Sequence, residues 1–267
     1  MPPAGTLALP TSPEAIERGK YLAEHVAVCV DCHSERDFTR FAGPIKAGTM
    51  GKGGERFDGP TAGLPGVLYA SNITPAGIGD YSDGELMRAV TTGVARDGRA
   101  MFPLMPYPNY GRIAREDVES ILGYVRTLAP IEHRIPERSL DPPLNLIVRT
   151  IPRPAAFTTR PSPDDRVKYG EYLVTMASCA ECHSPRDGGG QLVPGMDFAG
   201  GNQFAHPSSA TAYGAPTSRQ TRIPASVSGA RSSSSTNSRA SRQGTIACSP
   251  TRSSARTPRC RGRRTPA

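Results

Sequence analysis

Cys29-Val30-Asp31-Cys32-His33 and Cys179-Ala180-Glu181-Cys182-His183 are two copies of one motif, Cys-x-x-Cys-His. Two thiols at that spacing can bond the two vinyl groups of a porphyrin, and the imidazole that follows can ligate its iron. No other feature constrains the fold as strongly, because a covalently held haem supplies a large apolar surface for helices to close around. A zinc site could pool the four thiols, but the repeated histidine position would then have no role. A thioredoxin-like redox pair needs a strand before the motif, whereas a helical segment precedes each pair here. Of five histidines in the chain, two stand directly behind a cysteine pair. The expected chemistry is electron transfer, with Cys29 and Cys32 and then Cys179 and Cys182 as attachment points, and His33 and His183 as iron ligands.

The repeat reaches beyond these motifs. Ile16-Glu17-Arg18-Gly19-Lys20-Tyr21-Leu22 is echoed by Val167-Lys168-Tyr169-Gly170-Glu171-Tyr172-Leu173, and Ser-x-Arg-Asp follows each histidine, at Ser34, Arg36 and Asp37 and at Ser184, Arg186 and Asp187. This pattern marks a duplicated module. Ser12 with Pro13 predicts the start of a first helix. Glycine inside that helix costs stability, so a close approach of another backbone is expected there.

In the first module, Gly43 through Gly66 is rich in glycine and proline and is expected to be an irregular covering loop. Ser82-Asp83-Gly84-Glu85 has the form of a capping box, opening a helix that buries Leu86, Ala89 and Val90. Val118, Ile121, Leu122, Val125 and Leu128 recur at helical spacing and predict a last helix from about Arg115 to Leu128, stopped by Pro130. Between these helices lies Arg99-Ala100-Met101-Phe102-Pro103-Leu104-Met105-Pro106-Tyr107, a proline-stiffened stretch that suits a sulfur held over a metal face. Spacing alone does not choose between Met101 and Met105.

These residues resemble the class I cytochromes c, and most closely the periplasmic diheme c-type subunits of bacterial dehydrogenases. The resemblance rests on Arg18-Gly19-x-Tyr21-Leu22, Ser71-Asn72-Ile73-Thr74-Pro75, Gly77-Ile78-Gly79 with Tyr81-Ser82-Asp83, and Phe102-Pro103-Leu104-Met105-Pro106-Tyr107. It implies a mostly α fold of three to four helices with long loops around haem, duplicated, with the second copy incomplete. It also implies that Met105 is the second iron ligand of the first haem, and that Asn72, Ile73, Thr74 and Pro75 form a wall beside it. The implied cofactor is haem c, one at the first motif and a second at the repeated motif. The implied partners are an electron-donor dehydrogenase and a terminal oxidase or soluble cytochrome acceptor.

The expected organisation is a flexible N-terminus (1–12), a first cytochrome domain (13–131), a proline-rich linker (132–164), a partial second domain (165–206) and a disordered Arg/Ser-rich tail (207–267). The tail holds 11 arginines, 14 serines, no lysine and no acidic residue. Residues 1–206 carry 21 basic and 24 acidic residues, so the tail creates the whole chain's +8. Such a segment cannot form an apolar core. Without aromatics or a periodic face it is not expected to bind nucleic acid, and it reads as an out-of-frame stretch that starts near codon 206, with Cys248 and Cys260 accidental. Met196 and His206 are the nearby candidates for a second ligand to the second iron, and neither stands where the repeat demands one.

Met1 to Pro10 has no positive start followed by an apolar run, so no secretory leader is read. Attachment of haem to cysteines nevertheless points to the periplasm, and any membrane association is expected only through a partner. The leading expectation is a non-catalytic electron carrier or subunit of an oxidoreductase complex. The alternatives are a diheme peroxidase-like enzyme, which needs an open iron position, and a zinc-stabilised interaction module.

Overall fold

Helix α1 (Pro13–Tyr21) begins as the sequence indicates: Ser12 is its N-cap, with its Oγ accepting from the Ala15 N–H, and Pro13 is its first residue. These features belong to a computed structural model that describes residues 5–188, 190–205 and 212–217. The chain then widens into a π-helical turn, Leu22–Val26, which the 3.6-residue pattern does not announce. That turn buries Leu22, Ala23 and Val26, and the single-turn helix α2 (Cys29–Cys32) follows.

The covering loop is irregular apart from β1 (Arg56–Phe57), the short helix α3 (Gly59–Ala62) and the start of β2 (Gly66–Tyr69). Strand β3 (Ser139–Leu140) comes from the linker and completes an antiparallel sheet of order β1-β2-β3, with Arg56 opposite Tyr69 and Gly66 opposite Leu140. Helix α4 (Pro75–Ile78) is one turn. Helix α5 (Asp83–Thr92) carries the full capping box: Ser82 Oγ accepts from the Glu85 N–H while the Glu85 carboxylate accepts from the Ser82 N–H. It buries Leu86, Met87 and Ala89 and ends at Gly93 in the left-handed region.

Helix α6 (Tyr107–Tyr110) is a single turn within the proline-stiffened stretch, and α7 (Arg115–Arg126) is the terminal helix read from periodicity. Val118, Ile121, Leu122 and Val125 of α7 pack with Leu22, Val26 and Ile113 into one core. The linker contributes β3, α8 (Leu144–Ile147) and a 3-10 turn at Val148–Thr150. It is pinned onto the first module where Ala156 N–H donates to Gly111 O (2.7 Å) and Thr158 N–H to Ile113 O (3.2 Å).

Helix α9 (Arg166–Met176) opens the second module, capped by Asp165, and α10 (Cys179–His183) carries its motif. Tyr172 and the fully buried Met176 join the first module's core. Both modules belong to one compact unit, Met1–Arg219. Strands β4 (Gln203–Ala205) and β5 (Ala212–Gly214) pair as a hairpin, with Phe204 opposite Tyr213. His206 and the expected tail, apart from 212–217, lie outside the described residues. Among the described residues no helix is long and apolar enough to cross a membrane.

Candidate haem sites

In both modules a non-glycine residue with positive φ turns the chain directly into the cysteine motif: Val28 at 46° and Ser178 at 57°. This left-handed step is strained for a β-branched valine, and its recurrence at equivalent positions marks a required turn. The motif then coils for one turn. Its two cysteines lie at i and i+3, on one side of a short helix, with the histidine at its end.

His33 is held by its backbone and its ring together. Its carbonyl accepts from the Gly53 N–H (2.8 Å), and its Nδ1 lies 2.7 Å from the Ser71 carbonyl oxygen. A carbonyl only accepts, so Nδ1 carries the proton and Nε2 keeps a free lone pair, the tautomer that a metal-ligating imidazole needs. Burial pulls the His33 pKa down, partly opposed by this bond, which favours the neutral ring. A Cβ on Gly53 would fall 2.4 Å from that same Ser71 oxygen, so only glycine lets the loop close over the histidine.

The second motif repeats the arrangement. Gly200 N–H donates to the His183 carbonyl (2.7 Å), and His183 Nδ1 lies 3.1 Å from the Pro216 carbonyl oxygen. Ser34 Oγ accepts from the Gly51 N–H in the first copy, and Ser184 Oγ from the Phe198 N–H in the second; both serines are fully buried. Arg36 donates to the carbonyls of Ala42 and Gly43, and Arg186 to that of Gly190. Each arginine also pairs with the acidic residue inside its own motif, Asp31 and Glu181 respectively. The shared Ser-x-Arg sequence is thus a brace for the attachment loop.

Burial pushes the Cys29 thiol up to about 12, and burial also raises Cys32 and Cys182. Thiols held neutral in this way are unlike the activated thiolate of a redox-exchange pair. Among the described residues no group of three or more His, Cys, Asp or Glu could hold a metal ion. Two thiols on one helical turn, beside an imidazole whose Nδ1 faces a carbonyl, fit covalent haem at both motifs.

Met105 is partly buried against the core, and its carbonyl accepts from the Tyr107 N–H (2.8 Å). The Met101 carbonyl instead accepts from the Tyr107 hydroxyl (3.3 Å). Asn72 and Thr74 use their polar atoms within the protein. Asn72 Nδ2 donates to Ile131 O (2.8 Å), and its Oδ1 accepts from the Thr74 N–H (2.9 Å) and hydroxyl (2.7 Å). Ile73 packs on the core and Pro75 opens α4. The segment therefore links the loop that fixes His33 to the end of the module at Ile131.

Asp117 is the principal residue that the sequence did not single out. Its side chain is 1 % exposed and takes a two-pronged contact from Arg18 (3.1 and 2.7 Å), one from Arg160 (3.0 Å) and one from the Tyr172 hydroxyl (2.7 Å). Burial pushes its carboxyl up, but the bonds from Arg18 and Tyr172 and the charges of Arg18 and Arg160 outweigh this and hold it below the usual range. One buried carboxylate thus joins α1, α7, the linker and α9, and fixes the two motifs relative to each other.

No family model matches the chain. It is 32% identical over 217 residues to the cytochrome c subunit of alcohol dehydrogenase (quinone) from Gluconacetobacter polyoxogenes, covering 75% of this chain and 43% of that protein. It is 34% identical over 183 residues to the gluconate 2-dehydrogenase cytochrome c subunit of Pantoea cypripedii, covering 64% and 38%. It is 32% identical over 188 residues to the fructose dehydrogenase cytochrome subunit of Gluconobacter japonicus, covering 65% and 35%. The chain spans less than half the length of these curated relatives. The repeated haem-type sites and these similarities together support the family of cytochrome c subunits of bacterial dehydrogenases, without selecting a member.

Proposed function

We propose that the chain is a c-type cytochrome that passes electrons from a periplasmic dehydrogenase to a respiratory acceptor, either a terminal oxidase or a soluble cytochrome. The observation that carries this reading is the duplicated cage around Cys-x-x-Cys-His, in which each histidine Nδ1 is turned to a backbone carbonyl. Cys29 and Cys32 hold the first haem, with His33 and Met105 as its ligands; Cys179, Cys182 and His183 hold the second. When bound, haem c supplies a one-electron ferric/ferrous couple. The protein's task is to keep both ligands in place in either oxidation state. Ser71 fixes the His33 ring, Asn72 and Thr74 tie that wall to Ile131, and the proline-flanked stretch around Met105 limits its movement. This function needs no general acid, base or nucleophile.

A pyridine haemochrome spectrum of protein matured in an export-competent host tests the reading. A c-type spectrum that survives acid-acetone extraction is expected, and the Cys29→Ala/Cys32→Ala variant should lose the first haem. Colourless protein containing stoichiometric zinc would overturn it. Peroxide turnover by the haem-loaded chain would favour a peroxidase instead.

A further inference from the structure

The backbone frames of the two modules set a residue register between them. Gly54 N–H donates to Ala70 O and Ala70 N–H to Glu55 O; in the second module Gly201 N–H donates to Ala215 O and Ala215 N–H to Asn202 O. Ser71 then offers its carbonyl to His33, and Pro216 offers its carbonyl to His183. Pro216 therefore stands where Ser71 stands. From that point the first module continues Asn72-Ile73-Thr74-Pro75 and the second reads Thr217-Ser218-Arg219-Gln220, with no residue in common.

The genetic code reconnects them. In the frame that starts at the third base of each present codon, every new codon ends with the first two bases of the residue now written there. Pro216 supplies CC and permits serine; Thr217 supplies AC and permits asparagine; Ser218, as TC, permits isoleucine; Arg219, as CG, permits threonine; Gln220 supplies CA and permits proline. Ser71 and all four residues of the first module's wall are allowed, each at the position reached by counting forward from Pro216. Pro216, Thr217 and Gln220 each admit about four of the twenty amino acids, and Ser218 and Arg219, with two codon families each, about seven, so coincidence has odds of roughly one in 1,000. The other shifted frame cannot encode serine at 216 or asparagine at 217. In the permitted frame Gly-Ile-Gly is allowed at 225–227, three positions beyond where Gly77-Ile78-Gly79 would fall in strict register, and no codon from 212 to 267 forces a stop.

The same frame contains a candidate for the ligand that the second module lacks. A methionine codon, ATG, ends in TG, the first two bases of cysteine and tryptophan codons. The chain has no tryptophan, so between 212 and 267 this frame can place methionine only at Cys248 or Cys260. At Cys248 proline is impossible two positions before and one after, because Ile246 and Ser249 do not supply the bases. At Cys260 the frame permits tyrosine over Thr257, proline over Pro258 and proline over Arg261. That is the aromatic-Pro-x-Met-Pro pattern of Phe102 to Pro106.

We infer that this gene is read one base short from a point upstream of codon 215, and that its restored frame gives the second haem a Ser-Asn-Ile-Thr-Pro wall at 216–220 and a methionine ligand at position 260. The wall register is anchored at Pro216 and counted forward from it; the ligand assignment also rests on reading Cys179–His183 as a haem site. It places the break upstream of the end of codon 215, and makes Cys260 the shifted image of a ligand.

The nucleotide sequence of the locus decides the frame. The third bases of codons 216, 217 and 218 should be A, that of 219 C, that of 259 A and that of 260 C. Any other base at two of the first four overturns the frame, and a base other than A at codon 259 overturns the ligand. Inserting one base before codon 215 and expressing the product in an export-competent host tests the chemistry. A second low-spin haem with a thioether-to-iron band is expected, lost when the methionine codon at 260 is changed to alanine. Matching bases with a high-spin second haem overturn the ligand assignment alone, whereas a restored chain that takes up no haem at either motif overturns the cytochrome reading beneath it.

Discussion

A Cβ placed on Gly19 would lie 1.9 Å from the carbonyl oxygen of Ser120, so α1 and α7 cross with backbone against backbone. The counterpart glycine in the second module, Gly170, meets nothing within 4 Å among the described residues. The same helix glycine is thus a packing requirement in one copy and open in the other, where no terminal helix lies against it among those residues.

Gly19→Ala is expected to force the crossing apart and cost about 1–3 kcal/mol or more, despite alanine's better helix propensity. Gly170→Ala should be neutral or stabilise by up to about 1 kcal/mol. Thermal unfolding of the two haem-loaded variants checks this. Equal midpoints would show that the crossing can relax.

Asp117 makes stability depend on acid. Its folded pKa lies below the unfolded one, so its contribution is full above the ordinary carboxylate range and is lost as pH falls through the depressed folded value. Asp117→Asn leaves Arg18 and Arg160 without their buried counter-charge and should cost about 3–5 kcal/mol near neutrality. Denaturant unfolding from pH 7 down to pH 3 should show the gap between wild type and variant narrowing on the acid side. A constant gap would mean that the carboxylate's charge is not what stabilises the junction.

What the sequence made legible follows from where each signal is stored. The capping box at Ser82 and Glu85, the cap at Ser12, the periodic face of α7 and the close approach at Gly19 are side-chain patterns with one local cause each, and all appear in the structure. The orienting partners of His33 and His183 are main-chain carbonyls, which every residue has, so no residue type marks Ser71 or Pro216 for that role. Asp117 was equally silent. An acidic residue in the first turn of a helix has a sufficient local explanation in the helix dipole, and its burial becomes visible only once Arg18, Arg160 and Tyr172 converge from distant segments. The π-helical turn at Leu22–Val26 is set by the packing of its buried residues, so helical periodicity alone did not show it.

Asn72→Leu should separate the structural task of the wall from haem binding. The substitution leaves the Ile131 carbonyl and the Thr74 N–H without Asn72's partners in a buried place, at a cost of about 1–3 kcal/mol. The haem should remain attached through Cys29 and Cys32, so absorbance per chain stays at the wild-type value while the unfolding midpoint falls. An unchanged midpoint would show that the Asn72 bonds are replaced by water at no cost.

Met105 and Met101 are distinguished by spectrum. Met105 is packed on the core, while the Met101 carbonyl is tied to the Tyr107 hydroxyl. A thioether ligand favours the ferrous state more than a second imidazole does, so the first haem is expected to be low-spin with a relatively high potential. Met105→Ala should abolish the thioether-to-iron charge-transfer band at the red end of the ferric spectrum and lower the potential, with the haem still covalently bound. Met101→Ala should keep the band. Loss of the band in Met101→Ala and its survival in Met105→Ala would assign the ligand to Met101, and the role of the Pro103–Pro106 stretch would then be to hold Met105 as packing.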